Sequence, residues 1–242
     1  MDEAKRPLII SHRGVGSPDE QNTLEAFERA ASLGVDMVEF DIRRTSDDEF
    51  VVHHDAAIHG HQIAQMTLRE IRELRPGGSG VTTLPEVLGA VPASVGLDIE
   101  LKEPGYERDV VQLVLESRGP AGFVITSFSD RSVCAARASF PDVRTGLLLG
   151  MRRASFGRRL REFFPARRTR ACWASCIGPH VRLLRLGYLT RMARAGIPVC
   201  VWTVNDEVGL RRMISDRRIH GIVTDEPELA LRLRDSILGT DE

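Results

Sequence analysis

Short apolar, β-branched runs recur along the chain at residues 8–11, 37–42, 95–101, 123–126, 145–149, 171–177, 198–204 and 221–224. Their starts lie 22 to 29 residues apart, with one interval of 58, and a parallel strand with its crossover helix needs about that much chain. Between the runs the apolar period lengthens to that of a helix. Leu24, Phe27 and Ala31 share a face behind Asn22, read as the N-cap, and Gly34 follows as a stop. The same pattern marks helices over 67–74, 108–115, 186–195, 207–214 and 226–233. Eight such units predict a (β/α)8 TIM barrel, with an open doubly wound sheet as the competing arrangement. No GxGxxG follows the first strand, which weighs against the open sheet.

The 58-residue interval holds extra structure. Residues 37–43 run into the polar stretch Thr45-Ser46-Asp47-Asp48-Glu49 and then Phe50-Val51-Val52-His53-His54-Asp55, the pattern of strand, tight turn and strand. A turn centred near Asp47 and Asp48 sets Arg44 opposite Val51 and Asp41 opposite His54. The remainder, up to Gly80, carries the 67–74 helix and Gly77-Gly78-Ser79-Gly80, and reads as a small insertion over about 55–80 within one domain spanning 1–242.

Composition narrows the classes. With 42% hydrophobic and 28% charged residues the chain has material for a sizeable core. Thirty-three Lys and Arg against 34 Asp and Glu give a net charge of −1, which excludes the global basic field of a nucleic-acid partner. No apolar run approaches the length of a transmembrane helix, and the acidic N-terminus has no apolar signal core, so a cytoplasmic location is expected. Cys134, Cys172, Cys176 and Cys200 are too few and too scattered for a disulfide framework and read as reduced, mostly buried thiols, while Cys172 and Cys176 with His180 offer no paired CxxC for a soft metal. Nothing here fixes the oligomeric state.

Alternation within the second and third predicted strands is anomalous for a barrel, whose strands are ordinarily apolar on both faces. Glu39 and Asp41 share one face of the second strand, and Asp98, Glu100 and Lys102 share one face of the third. Uncompensated buried charge costs several kcal/mol, so such a cluster points to ion pairing or to a hard divalent cation such as Mg²⁺ or Ca²⁺. Five of seven histidines lie within the first 61 residues. His12 ends the first strand and His54 ends the hairpin, and two imidazoles beside a carboxylate-bound cation suit general acid and base work. His53 alternates away from His54, while His59 and His61 fall in a loop.

Taken together, His12-Arg13-Gly14, Asn22-Thr23, Glu39-x-Asp41, Thr45-x-Asp47, Val52-x-His54-Asp55, Ile99-Glu100-Leu101-Lys102, Ser127-Phe128, Trp202-Thr203-Val204-Asn205 and Thr224-Asp225 resemble, in order, the glycerophosphodiester phosphodiesterase family. The resemblance implies metal-dependent hydrolysis of a small-molecule glycerophosphodiester to glycerol 3-phosphate and an alcohol. It also implies His12 and His54 as acid and base, Glu39, Asp41 and Glu100 as metal ligands, Arg13 and Lys102 as phosphate contacts, and Trp202 at the site rim. Gln21 departs from the pattern, standing where the family carries a glutamate, and residues 56–66 lack the Arg- and Thr-rich run common there. Two alternatives stay open: lysophospholipase D-like action on lysophospholipids, and a barrel that binds phosphorylated metabolites without efficient turnover.

Residues 152–170 hold eight arginines and one acid, Glu162, with Phe156, Leu160, Phe163 and Phe164 at helical spacing. The bland reading is a core-packed helix with a solvated basic face. Attraction of anionic diesters, with Arg152 and Arg153 at the site rim, or peripheral contact with an anionic lipid surface, are the functional ones.

Overall fold

The computed structural model describes residues 6–74, 81–150 and 161–239. In chain order its strands are β1 (Leu8–His12), β2 (Met37–Arg44), β3 (Phe50–Val52), β4 (Ala57–Ile58), β5 (His61–Gln62), β6 (Gly96–Leu101), β7 (Phe123–Ser127), β8 (Arg144–Leu149), β9 (Cys176–Pro179), β10 (Val199–Val201) and β11 (Ile219–Thr224). Strands β1, β2 and β6 to β11 are parallel and close on themselves through the β1–β11 and β1–β2 pairings. The closed eight-stranded barrel confirms the expected (β/α)8 architecture, and β3 adds the antiparallel hairpin arm to β2.

The helices are α1 (Leu24–Ser32), α2 (Leu68–Glu73), α3 (Leu84–Ala90), α4 (Glu107–Arg118), α5 (Asp130–Ser139), α6 (Ala166–Ala171), α7 (Tyr188–Arg194), α8 (Glu207–Ile214) and α9 (Pro227–Leu238). Their apolar stripes meet the outward faces of the strands, where Val38, Phe40, Ile42, Leu97, Ile99 and Leu101 join Phe27, Val87 and Val111 in one cluster. A second cluster, around Leu147, Ile177, Val201 and Ile222, lies under α7 to α9. Inside the barrel the apolar set is small: Ile10, Met37, Val124 and Val223. The rest of the interior is left to polar side chains.

Several elements differ from the sequence reading. Helices α3 and α5 were not anticipated, although Thr83 and Glu86 form a capping box with Pro85 in the first turn of α3. The sixth barrel strand begins at Cys176 rather than residue 171, because the arginine-bearing stretch before it forms α6 and Cys172 caps that helix. Thr23, not Asn22, caps α1, since its side chain accepts from the Ala26 amide while Asn22 takes a left-handed backbone. The hairpin register is displaced by one residue: Arg44 faces Phe50 and Arg43 faces Val51, and the amide of His53 donates to the Asp41 carbonyl. Asp48, at φ 63°, lengthens the turn by the single residue that causes the slip.

The insertion has its own small core, in which Ile58, Ile63 and Ile71 pack on Val51 of β3 and on Val81. Asp47 locks it down, accepting from Thr45 at 2.6 Å and from the Leu68 amide at the start of α2. The glycine-rich segment 77–80 lies outside the described residues. No helix among the described residues is long and apolar enough to cross a membrane.

The expectation of four reduced thiols is overturned. Cys134 of α5 and Cys172 at the end of α6 form a disulfide across 38 residues, and only Cys176 and Cys200 remain free. Sequence spacing did not show it because α5 and α6 become neighbours only when β8 places them side by side. It also removes the reduced-thiol support for a cytoplasmic location. Loop-closure entropy for this span predicts that Cys134→Ser with Cys172→Ser lowers unfolding stability by about 2–4 kcal/mol, read as a lower urea midpoint, with a slope no smaller than wild type because the released unfolded chain expands.

Candidate active site

Pairing in β2 and β6 sets Glu39 beside Asp98 and Asp41 beside Glu100, all four pointing into the barrel near the C-terminal ends of the strands. All four are buried. Oxygen atoms of Glu39, Asp41 and Glu100 lie within 4.8 Å of one another. Lys102, next on the same face of β6, bridges two of them, with its Nζ 2.7 Å from Asp41 Oδ1 and 2.6 Å from Glu100 Oε1. Asp98 sits one step deeper and accepts from Thr126 Oγ1 at 2.8 Å.

Arg13 comes from the turn after β1. At φ 58° its backbone is left-handed, and its amide donates to the Glu39 carbonyl. Gly14 follows at φ 84°, where a Cβ would meet the Ala26 backbone at 2.7 Å, so this turn demands glycine. The turn drives the guanidinium inward, with Nε 3.0 Å from Asp41 Oδ2. Asn22 Nδ2 donates to the same oxygen at 3.1 Å, which is why the residue is conformationally unusual rather than a cap.

His12 Nδ1 meets Asp225 Oδ1 at 2.6 Å, and the carboxylate, which only accepts, fixes the proton on Nδ1 and leaves Nε2 facing the cavity, 3.9 Å from Glu39. Asn205 donates to the other Asp225 oxygen at 2.6 Å. His54 is arranged alike, with Nδ1 2.8 Å from Asp55 Oδ1, and Arg43 donates from Nε and Nη2 to its carbonyl. Although the hairpin register slipped, His54 lines the cavity because the ladder ends at Val52 and the chain turns inward there. His53 instead directs Nδ1 at the Asp55 carbonyl.

Electrostatics follow from this packing. Burial, reinforced by Asp41, Glu100 and Asp98, pushes the Glu39 carboxyl well above the usual range. Burial likewise raises Glu100 to about 7 against the pull of Lys102, and Asp98 to about 6. For Asp41 burial is outweighed by Lys102 and Arg13, which hold it at about 2. Burial, with Lys102 and Arg13 nearby, lowers His54. Four carboxylates thus meet two permanent cations in ion-pair contact among the described residues, and Glu39 and Asp98 take part in none of those contacts. Hard oxygen donors with uncompensated charge fit a divalent cation such as Mg²⁺ or Ca²⁺.

These groups line a cavity of about 1720 Å³ that runs along the barrel interior, from Leu8, Arg144 and His220 near the strand starts to Trp202 and Phe128 at the C-terminal ends. The Trp202 indole donates to the Gly178 carbonyl at 2.6 Å and stands edge-on to Phe128 and His180. Gln21 lies between Arg13 and Asp225, 3.5 Å from each, whereas Glu20 is exposed and bound to Ser17 and Arg29, so it does not take the place of the missing carboxylate. Arg152 and Arg153 lie outside the described residues, as do Phe156 and Leu160. Asp225, Asn205 and Asp55 are candidate site residues to which the sequence reading gives no role, and Asn22 is one that it reads only as a helix cap. The first three sit one or a few residues past a strand or histidine already singled out, and that adjacency was the available signal.

Residues 12–229 match the model of the Glycerophosphoryl diester phosphodiesterase family. YhdW of Bacillus subtilis is 30% identical over 241 residues, covering 93% of this chain and 96% of that protein. The crystal structure of a glycerophosphodiester phosphodiesterase from Thermotoga maritima is 27% identical with a TM-score of 0.76, covering 94% of this chain and 98% of that one. A phosphodiesterase of Oleispira antarctica, solved in complex with the product sn-glycerol-3-phosphate, shares the fold at a TM-score of 0.77 and 20% identity, covering 95% and 97% of the two chains.

Proposed function

The chain belongs to the glycerophosphoryl diester phosphodiesterase family, a family of phosphoric diester hydrolases, and from that premise we propose that it releases glycerol 3-phosphate and an alcohol from small glycerophosphodiesters with the help of a divalent cation. The observation that carries this reading is the pair of imidazoles, His12 and His54, each oriented at Nδ1 by a carboxylate and opening on the same cavity as Glu39, Asp41 and Glu100. Those three carboxylates would hold the cation, Mg²⁺ or Ca²⁺, which when bound supplies Lewis-acid polarisation of the phosphoryl group.

The chain's own residues do the rest. Arg13 presents a guanidinium beside Asp41, and Lys102 spends two of its three N–H donors on Asp41 and Glu100, leaving one for a phosphate oxygen. One imidazole takes the proton of the attacking hydroxyl, from water or from the substrate's own glycerol. The other returns a proton to the departing alkoxide. Asp225 and Asp55 fix the ring orientations that make both transfers geometrically competent. Trp202 and Phe128 form the apolar wall of the mouth. Binding without turnover is disfavoured, because both histidines are present and aligned.

The test is product release from glycerophosphocholine, lysophosphatidylcholine and a chromogenic phosphodiester. Glycerol 3-phosphate from the first is the expected result. Release of choline from the lysolipid alone moves the assignment to lysophospholipase D-like action, and no product from any of the three, in a folded sample with cation present, overturns it.

A further inference from the structure

Six large apolar side chains stand exposed among the described residues, and four of them lie on the catalytic face. Phe128 follows β7, Phe164 lies between β8 and α6, Leu186 between β9 and α7, and Val208 in the first turn of α8 after β10. All are in strand-to-helix connections or, for Val208, in the first turn of the helix that follows, which is the end of the barrel that carries His12, His54 and Trp202. Leu33 and Trp173, in helix-to-strand connections, belong to the opposite end. Leu186 is 87% exposed at φ 51°, a left-handed conformation that a bulky residue adopts only at a cost, and it contributes no packing in return. Phe164 is 60% exposed. Arg191 ties these two tips together, its guanidinium 5.1 Å from the Phe164 ring centroid while it donates to the carbonyls of Leu186 and Phe163.

Charge is segregated to the same region. Residues 161–194 carry eight arginines and one acid in a chain whose net charge is −1. That acid, Glu162, is buried and paired with Arg168, so it leaves Arg161, Arg167, Arg182 and Arg185 uncompensated at the surface. Arg161 and Arg182 also line the cavity. A nucleic acid would use the arginines and leave the isolated apolar tips without partners. An anionic bilayer uses both, drawing the arginines to its phosphates and burying the tips at the acyl boundary.

We infer that this rim docks the cavity mouth onto a bilayer carrying anionic phospholipid. Docking stands on the surface alone; delivery of a lipid-borne diester to the site rests on the phosphodiesterase reading.

Sedimentation with vesicles of phosphatidylcholine, with and without phosphatidylglycerol, tests it. Wild-type protein is expected to sediment only when phosphatidylglycerol is present. Arg167→Glu with Arg185→Glu should weaken partitioning roughly fivefold or more per arginine, and Phe164→Ser with Leu186→Ser by about tenfold. Both double variants should turn over a soluble diester as wild type does, showing that they are folded. His12→Ala should sediment normally, so a failed catalytic reading leaves this result intact. Equal sedimentation with pure phosphatidylcholine, undiminished sedimentation of the variants, or displacement of vesicles by single-stranded RNA overturns the inference.

Discussion

Chelation with EDTA is expected to reduce turnover to background, and Mg²⁺ or Ca²⁺ to restore it. The charge balance is the reason for this expectation: Asp41 is satisfied by Lys102 and Arg13, but among the described residues Glu39 receives only the Arg13 amide at 3.2 Å and His12 at 3.9 Å, and its carboxyl is driven up by burial and by neighbours of like sign. Glu39→Gln or Glu100→Gln should each lower kcat by roughly three orders of magnitude, the several kcal/mol a Lewis-acid centre contributes, with the barrel still folded. Stability supplies a readout independent of activity. Glu39, Glu100 and Asp98 bind protons more tightly folded than unfolded, so without cation the native state loses stability as pH rises from the ordinary carboxylate range through about 7. A bound cation removes that loss. The rise in Tm on adding Mg²⁺ or Ca²⁺ should therefore be small near pH 5 and several degrees near pH 8. Full turnover in a chelated sample, or a cation-induced shift in Tm that is the same at both pH values, defeats the metal assignment.

The features legible in the sequence were those set by strand alternation. A period of two cannot hide which face Glu39, Asp41, Asp98, Glu100 and Lys102 share, and parallel pairing of β2 with β6 needs only their adjacency to bring them together. What escaped depended on turns and on contacts remote in sequence. The hairpin register turned on one left-handed residue, Asp48, and the Asn22 cap failed because its side chain is spent on Asp41 rather than on the helix. The Asp225 partner of His12 lies 213 residues away and meets it only because β11 closes the barrel against β1. The Cys134–Cys172 bond has the same origin in helix adjacency. Local periodicity carries no information about such closures.

The slipped register sharpens the expectation for the histidines. With His53 paired by its amide to Asp41, a strict continuation of β3 would set His53 and His54 on opposite faces, yet the strand ends at Val52 and His54 alone lines the cavity. His12→Ala and His54→Ala should each lower kcat by about 10²- to 10⁴-fold, the usual loss when a positioned proton donor or acceptor is removed. His53→Ala should cost far less, since its ring turns to the Asp55 carbonyl. The carboxylates behind the rings separate orientation from charge. Asp225→Asn keeps a hydrogen-bonding side chain of the same size but no longer obliges His12 to place its proton on Nδ1, so it should lower kcat substantially while leaving KM nearly unchanged. His54, lowered by burial and by Lys102 and Arg13, remains neutral below the pH at which a free histidine protonates. Lys102→Gln removes one of those cations, and any limb of the kcat/KM profile that belongs to His54 should then move to higher pH. An essential His53 beside a dispensable His54 would show that the cavity is entered from the other face of the hairpin and would dissolve the paired-imidazole site.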